Sequence, residues 1–129
     1  MRPRYRRLLK KAEEDFEAAQ VLEPIGLSSP AAFHVQQGLE KLFKVCIGVS
    51  GVRPPVTHNL VELWEIARQH VPLEINETYL ELLNQFAVDI RYDVDATQQQ
   101  AQLALEEALK IRSAVLQWLE SDHMRKDNE

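Results

Sequence analysis

One cysteine in 129 residues leaves no partner for an internal disulfide, and a lone thiol suits a reducing compartment. Four glycines and six prolines are too few breakers for a series of short strands with tight turns, so long uninterrupted elements are expected. No segment approaches the ~20 consecutive apolar residues that cross a bilayer. The basic start MRPRYRRLLKK has no apolar core behind it, because Glu13, Glu14 and Asp15 follow at once, and it does not read as a secretory leader. These absences point to one soluble, cytoplasmic domain over residues 1–129, with no membrane contact and a polar end that frays from about residue 121.

Several kinds of chemistry are missing as well. Gly48-Val-Ser-Gly51 has no lysine after it and no strand before it, so it reads as helix-ending glycine rather than a phosphate loop. His34, His58, His70 and His123 show no paired spacing on a helix face and have no cysteine pair to help them; no metal site and no cofactor are expected. Cys46 lies among Leu39, Leu42 and Phe43 and reads as a small buried apolar residue rather than a reactive thiol.

What is present is 45% hydrophobic and 27% charged residues with a net charge of -5. A chain of this size buries roughly two-thirds of the surface of its unfolded form, enough to fold without a staple. Six of the fifteen Lys and Arg residues lie in the first eleven positions. That cluster reads as the solvated face of a helix ahead of a phosphate contact, since only Tyr5 interleaves with it.

Apolar residues recur at three- and four-residue steps in five stretches, which predicts an all-α, antiparallel up-and-down bundle of four long helices and one short one. Pro3 opens a helix over about 4–22, stopped by Pro24 and Gly26. Ser29 before Pro30 is expected to cap a helix over about 30–49. Asn59 with Glu62 reads as a capping box for a short third helix that Pro72 ends. Asn76 caps a fourth helix carrying Tyr79, Leu80, Leu83, Phe86, Ala87 and Ile90. Asp93 and Asp95 then offer turn and cap chemistry before a long fifth helix, with Gln98, Gln99 and Gln100 in its first turn.

The second helix is apolar over more than half of its circumference and is expected to be the central element. Gln36 falls inside that apolar arc and should find a partner on a neighbouring helix or backbone, because an unpaired buried amide costs about 1–3 kcal/mol. His34, Gln37, Lys41 and Lys44 form a ridge on the remaining strip, fit either to receive a phosphate or base edge or to stand as a solvated face. Arg91 and Tyr92 end the fourth helix, where the guanidinium can meet a phosphate or pair locally with Asp89, Asp93 or Asp95.

Four pieces taken in order, AAFHVQQGLEKLFK, THNLVELW, RYD and a closing helix that ends in Trp, resemble the HEPN family of small helical nucleotide-binding domains. The resemblance implies a four- or five-helix bundle, commonly a homodimer, often encoded beside a minimal nucleotidyltransferase and sometimes acting with it as a toxin–antitoxin module. Many family members are metal-independent ribonucleases whose motif is an Arg followed at a short interval by a His. Arg91 matches the first member. The positions where the histidine belongs hold Thr97, Gln98 and Gln99 or their neighbour Ala96, and the next histidine is His123. A missing acid/base group lowers rates by ~10²- to 10⁴-fold, so the sequence favours a non-catalytic protein that binds a nucleotide or RNA. The candidate binding residues are His34, Gln37, Lys41, His58, Arg91 and Tyr92. A ribonuclease with an atypical site, using His58 as substitute base, and a dimeric interaction module without a ligand are the alternatives.

Overall fold

The computed structural model describes residues 1–87 and 95–124, with side chains to Ser121. Helices account for its regular structure, and no strand occurs among the described residues. They are α1 (Pro3–Leu22), α2 (Ser28–Val49), α3 (Leu60–Ala67), α4 (Glu77–Asn84) and α5 (Gln98–Trp118). Beyond α5 the backbone continues as wider π-helical turns over Leu119–Met124. Among the described residues the bundle thus has three long helices and two of eight residues each, where the periodicity predicts four long ones and one short. The fourth helix stops at Asn84 although Phe86 remains buried; Ile90 lies outside the described residues.

Pro3 sits in the first turn of α1 as expected, and Gly26, at a φ of 83°, makes the turn into α2. α1 buries Tyr5, Ala12, Phe16 and Ala19. Tyr5 faces Gly48 and Phe16 faces Gly38, so residue numbers rise along one helix as they fall along the other, and the pair is antiparallel. A Cβ added at Gly38 would stand 2.7–2.9 Å from three carbons of the Phe16 ring, and one at Gly48 would overlap the Tyr5 ring. Glycine at these two positions therefore permits the close approach of α1 to α2.

α2 is the centre of the bundle. It contacts each of the other four helices and buries twelve residues, among them Leu39, Leu42, Phe43 and Cys46. Burial pushes the Cys46 thiol up to about 12, in keeping with an inert core residue. Its cap differs from expectation. Leu27 occupies the N-cap position without a side-chain bond, and Ser29 lies within the first turn. The Ser29 hydroxyl is used elsewhere: it accepts from the Ala96 amide at 2.9 Å and donates to Asp95 Oδ1 at 3.4 Å. That tie places the start of α5 beside the start of α2. Glu13 of α1 receives both Nε and Nη2 of Arg112, the latter at 2.8 Å, so α5 runs with α2 and against α1. This is the up-and-down order if α3 and α4 together form one leg.

The caps of the short helices are built from tertiary contacts. Asn59 Oδ1 accepts from the Val61 and Glu62 amides at 2.9 and 3.3 Å. Glu62 does not return the favour, because its carboxylate takes the Thr57 hydroxyl at 2.9 Å while the Asn59 amide donates to that same hydroxyl oxygen. The expected capping box is therefore half made. The remaining free amide, that of Leu60, donates to Asn84 Oδ1 at 2.9 Å, and Asn84 Nδ2 donates to Asn59 Oδ1 at 3.0 Å. α3 ends at Ala67, five residues ahead of Pro72, its last carbonyls accepting from Arg68, His70 and Val71. Asn76 caps α4 through the Thr78 amide, as expected. For α5 the cap is Thr97, in a complete box with Gln100, rather than Asp95; Asp93 lies outside the described residues. The glutamine triplet does form the first turn.

Two contacts complete the core around α2. The Phe43 and Trp64 rings pack with centroids 5.2 Å apart, joining α2 to α3. The Tyr79 hydroxyl donates to the Ala104 carbonyl at 2.6 Å, joining α4 to α5; burial, with the Glu107 charge as a smaller cause, pushes that phenol well above its ordinary range.

Candidate functional site

The polar strip of α2 faces α1 on one side and the segment before α3 on the other. Along it runs a continuous seam of side chains. Asp15 of α1 sits at its upper end, with Oδ1 2.9 Å from His34 Nδ1 and Oδ2 accepting from Lys41 Nζ at 2.7 Å. Lys41 Nζ also reaches Gln37 Oε1 at 3.5 Å. Gln37 Nε2 donates to Gln36 Oε1 at 2.6 Å, and Gln36 Nε2 donates to the His58 carbonyl at 3.1 Å. The buried Gln36 amide is thus paired on both of its polar atoms, once through a backbone group as its position demanded.

The lower end of the seam is anchored by Glu40, whose side chain is 8% exposed. Its Oε1 lies 2.8 Å from His58 Nδ1, and its Oε2 lies 3.6 Å from Lys44 Nζ. A carboxylate at Nδ1 keeps the proton of a neutral imidazole on that nitrogen and leaves Nε2 as an acceptor. The His58 side chain is 75% exposed, so that acceptor is open to solvent. Asp15 orients His34 by the same means.

Four of the six candidate residues, His34, Gln37, Lys41 and His58, therefore meet in one hydrogen-bonded seam. Arg91 and Tyr92 lie outside the described residues. Asp15 and Glu40 complete the seam, and neither is among the candidates. Both could have been found on a helical wheel: Asp15 falls beside Leu8 and Ala19 at the edge of the apolar stripe of α1, and Glu40 between Ile47 and Lys44 on α2. An acid at such a border is placed to be partly buried and so to need a partner.

With its histidines neutral the seam balances, Lys41 and Lys44 against Asp15 and Glu40. It offers directed donors and acceptors more than a positive field. Such a surface suits a base edge or sugar hydroxyl better than a bare phosphate. Among the described residues no group of three or more His, Cys, Asp or Glu is placed to hold a metal ion, and no helix is long and apolar enough to cross a membrane.

A family model described as the HEPN domain matches residues 5–122. The chain belongs to the HEPN family. Two solved structures share its fold. One is TT1696 from Thermus thermophilus, 24% identical with a TM-score of 0.72 over 90% of this chain and 98% of that one. The other is ST0689, an archaeal HEPN homologue, 20% identical with a TM-score of 0.65 over 89% of this chain and 97% of that one. No curated protein sequence matches the chain. Within the HEPN bundle the seam occupies the ridge of α2 that carries the HVQQGLEKLFK run and the loop that carries His58.

Proposed function

We propose that this HEPN protein binds a nucleotide or RNA along the α2 seam without turning it over at an appreciable rate. The observation that carries the reading is the joining of His34, Gln37, Lys41 and His58 through Asp15, Gln36 and Glu40, which holds several polar groups in fixed directions at a partly open surface. Arg91, on the segment after α4, supplies the phosphate contact through its paired donors. The resemblance to HEPN proteins supports a homodimer acting with a minimal nucleotidyltransferase as a two-protein module, in some settings a toxin with its antitoxin. Outside the basic start of α1 and the seam, twenty acids repel a polyanion over the surface, which argues against broad nucleic-acid affinity.

A second reading, an atypical metal-independent ribonuclease, is favoured by one feature: the Glu40–His58 pair has the carboxylate–imidazole arrangement of a general base. Single-turnover cleavage and fluorescence-anisotropy binding of a labelled RNA decide between them. Binding weakened by Lys41→Ala and Arg91→Ala, with no cleavage above background, is the expected result. Rapid cleavage without metal, lost in both Arg91→Ala and His58→Ala, would establish the ribonuclease instead. Light scattering at micromolar concentration tests the homodimer, and a mass near that of one 14.9 kDa chain would refute it.

A further inference from the structure

Beyond Lys44 the seam opens into a hollow of about 310 Å³ between the start of α1, the end of α2 and the loop after it. Two cations line it, Arg4 and Lys44. Lys44 is only 19% exposed, and its single carboxylate, Glu40, stands beyond hydrogen-bond distance at 3.6 Å with its other oxygen already held by His58. The Arg4 guanidinium lies 5.1 Å from the centre of the Tyr5 ring and has no carboxylate partner among the described residues. Both therefore keep donors for a ligand.

The other walls are apolar and stiff. The Tyr5 ring is wedged against Gly48, where any larger residue would displace it. Leu8, Pro54 and Pro55 also line it, and proline fixes its own backbone angle. Val56 stands at the rim fully exposed, at 100%. This is a preformed hollow at the small end of ligand-pocket sizes, with apolar walls and two cationic side chains on its lining, Lys44 sharing its charge with Glu40. Another hollow, of about 220 Å³ beside Trp64, is edged by Glu65, Glu74 and Glu77 against one cation, Arg68, and this acidic excess disfavours the same ligands.

We infer that the Arg4–Lys44 pocket binds a phosphomonoester carried on a compact ring, as in a nucleoside monophosphate or the 5′-phosphate end of an RNA. The Arg4 and Lys44 donors line one hollow from separate helices, and a dianionic phosphate offers them more acceptor charge than a carboxylate or an internal phosphodiester, each of which brings one charge. The apolar walls receive the sugar or base, which in turn covers Val56. The inference shares the phosphate chemistry of the reading above but stands on other residues.

The test is calorimetric titration of the full chain with ribose 5-phosphate and with ribose, together with amide shift mapping. Ribose 5-phosphate should bind, ribose should not, and the shifted amides should include Tyr5, Lys44 and Val56. Arg4→Gln and Lys44→Gln should each weaken binding by at least about tenfold, the loss of one charge-assisted contact. Lys10→Gln, in the same basic cluster but outside the pocket, should leave it unchanged, and Lys44→Arg should retain it. AMP and a 5′-phosphorylated tetraribonucleotide then separate the two sources: tighter binding of the oligonucleotide than of its 5′-hydroxyl form and of AMP assigns an RNA end, and equal or tighter binding of AMP assigns a free nucleotide. Equal binding of ribose and its phosphate, no binding of either, full affinity in both Gln variants, or loss in a folded Lys44→Arg would overturn the assignment. Nucleotide binding sensitive to Lys41→Ala but not to Arg4→Gln or Lys44→Gln would leave the seam standing and remove this pocket alone.

Discussion

Replacing Gly38 with alanine sets two effects of similar size against each other. In a helix interior the change from glycine to alanine gains about 1 kcal/mol of intrinsic propensity. Here the new methyl carbon would lie 2.7–2.9 Å from three carbons of the Phe16 ring, against a comfortable separation of about 3.5–4.0 Å. Phe16 is buried within the core cluster, so its ring has little room to swing away without moving α1. Overpacking of this kind costs about 1–3 kcal/mol. The clash outweighs the propensity gain, and the expected net destabilisation is on the order of 1 kcal/mol. With a urea m-value of about 1–3 kcal/mol/M, the unfolding midpoint followed by far-ultraviolet circular dichroism should fall by about 0.5 M at fixed protein concentration. Phe16→Leu opens the space the methyl needs, so the double variant should be more stable than the sum of the two single changes by about 0.5–2 kcal/mol. A Gly38→Ala protein stabilised by the full propensity gain, or strict additivity with Phe16→Leu, would refute the idea that glycine sets the α1–α2 distance.

The Cys46 thiol, pushed up to about 12 by burial, should resist Ellman's reagent at pH 8 in the native protein and react within minutes once denaturant is added; prompt native labelling would contradict its place in the core. Tyr79→Phe should lower stability by about 1 kcal/mol, because it removes a largely buried hydrogen bond to the Ala104 carbonyl. The ionisation of Tyr79 is raised in the folded state, so the stability it lends is complete below the unfolded phenol's value of about 10 and drains away as pH climbs above it. In an alkaline absorbance titration Tyr79 should therefore ionise only as the protein unfolds, and its smooth native titration near pH 10 would count against the buried hydroxyl.

Helix positions were readable because their signals are local. Pro3, Gly26, Asn59 and Asn76 act through their own backbone or a neighbour within one turn, and all four do what their residue type suggests. The misread features depend on partners outside the helix that carries them. Ser29 looked like a cap because nothing local showed that its hydroxyl would serve the Ala96 amide, 67 residues away. Glu62 lost its half of the box to Thr57. At the site, the ridge on α2 was visible from spacing, whereas whether it faced solvent or a partner turned on Asp15, which belongs to another helix. Arg91 was legible as a motif residue through its resemblance alone.

The exchange between Asn59 and Asn84 bears on how the molecule assembles. Eight residues make a helix well below the ~12–15 needed for even marginal stability in water, so neither α3 nor α4 can persist alone. The Leu60 amide at the start of α3 finds its acceptor only on the last residue of α4, and Asn84 in turn reaches back to Asn59. The two short helices and the chain between them therefore form one cooperative unit that opens and closes together. In native-state hydrogen exchange the amides of Leu60 and Leu83 should share a single opening free energy, and the His58 carbonyl that receives Gln36 should come and go with that same unit, so the lower half of the seam exists only while both short helices are docked.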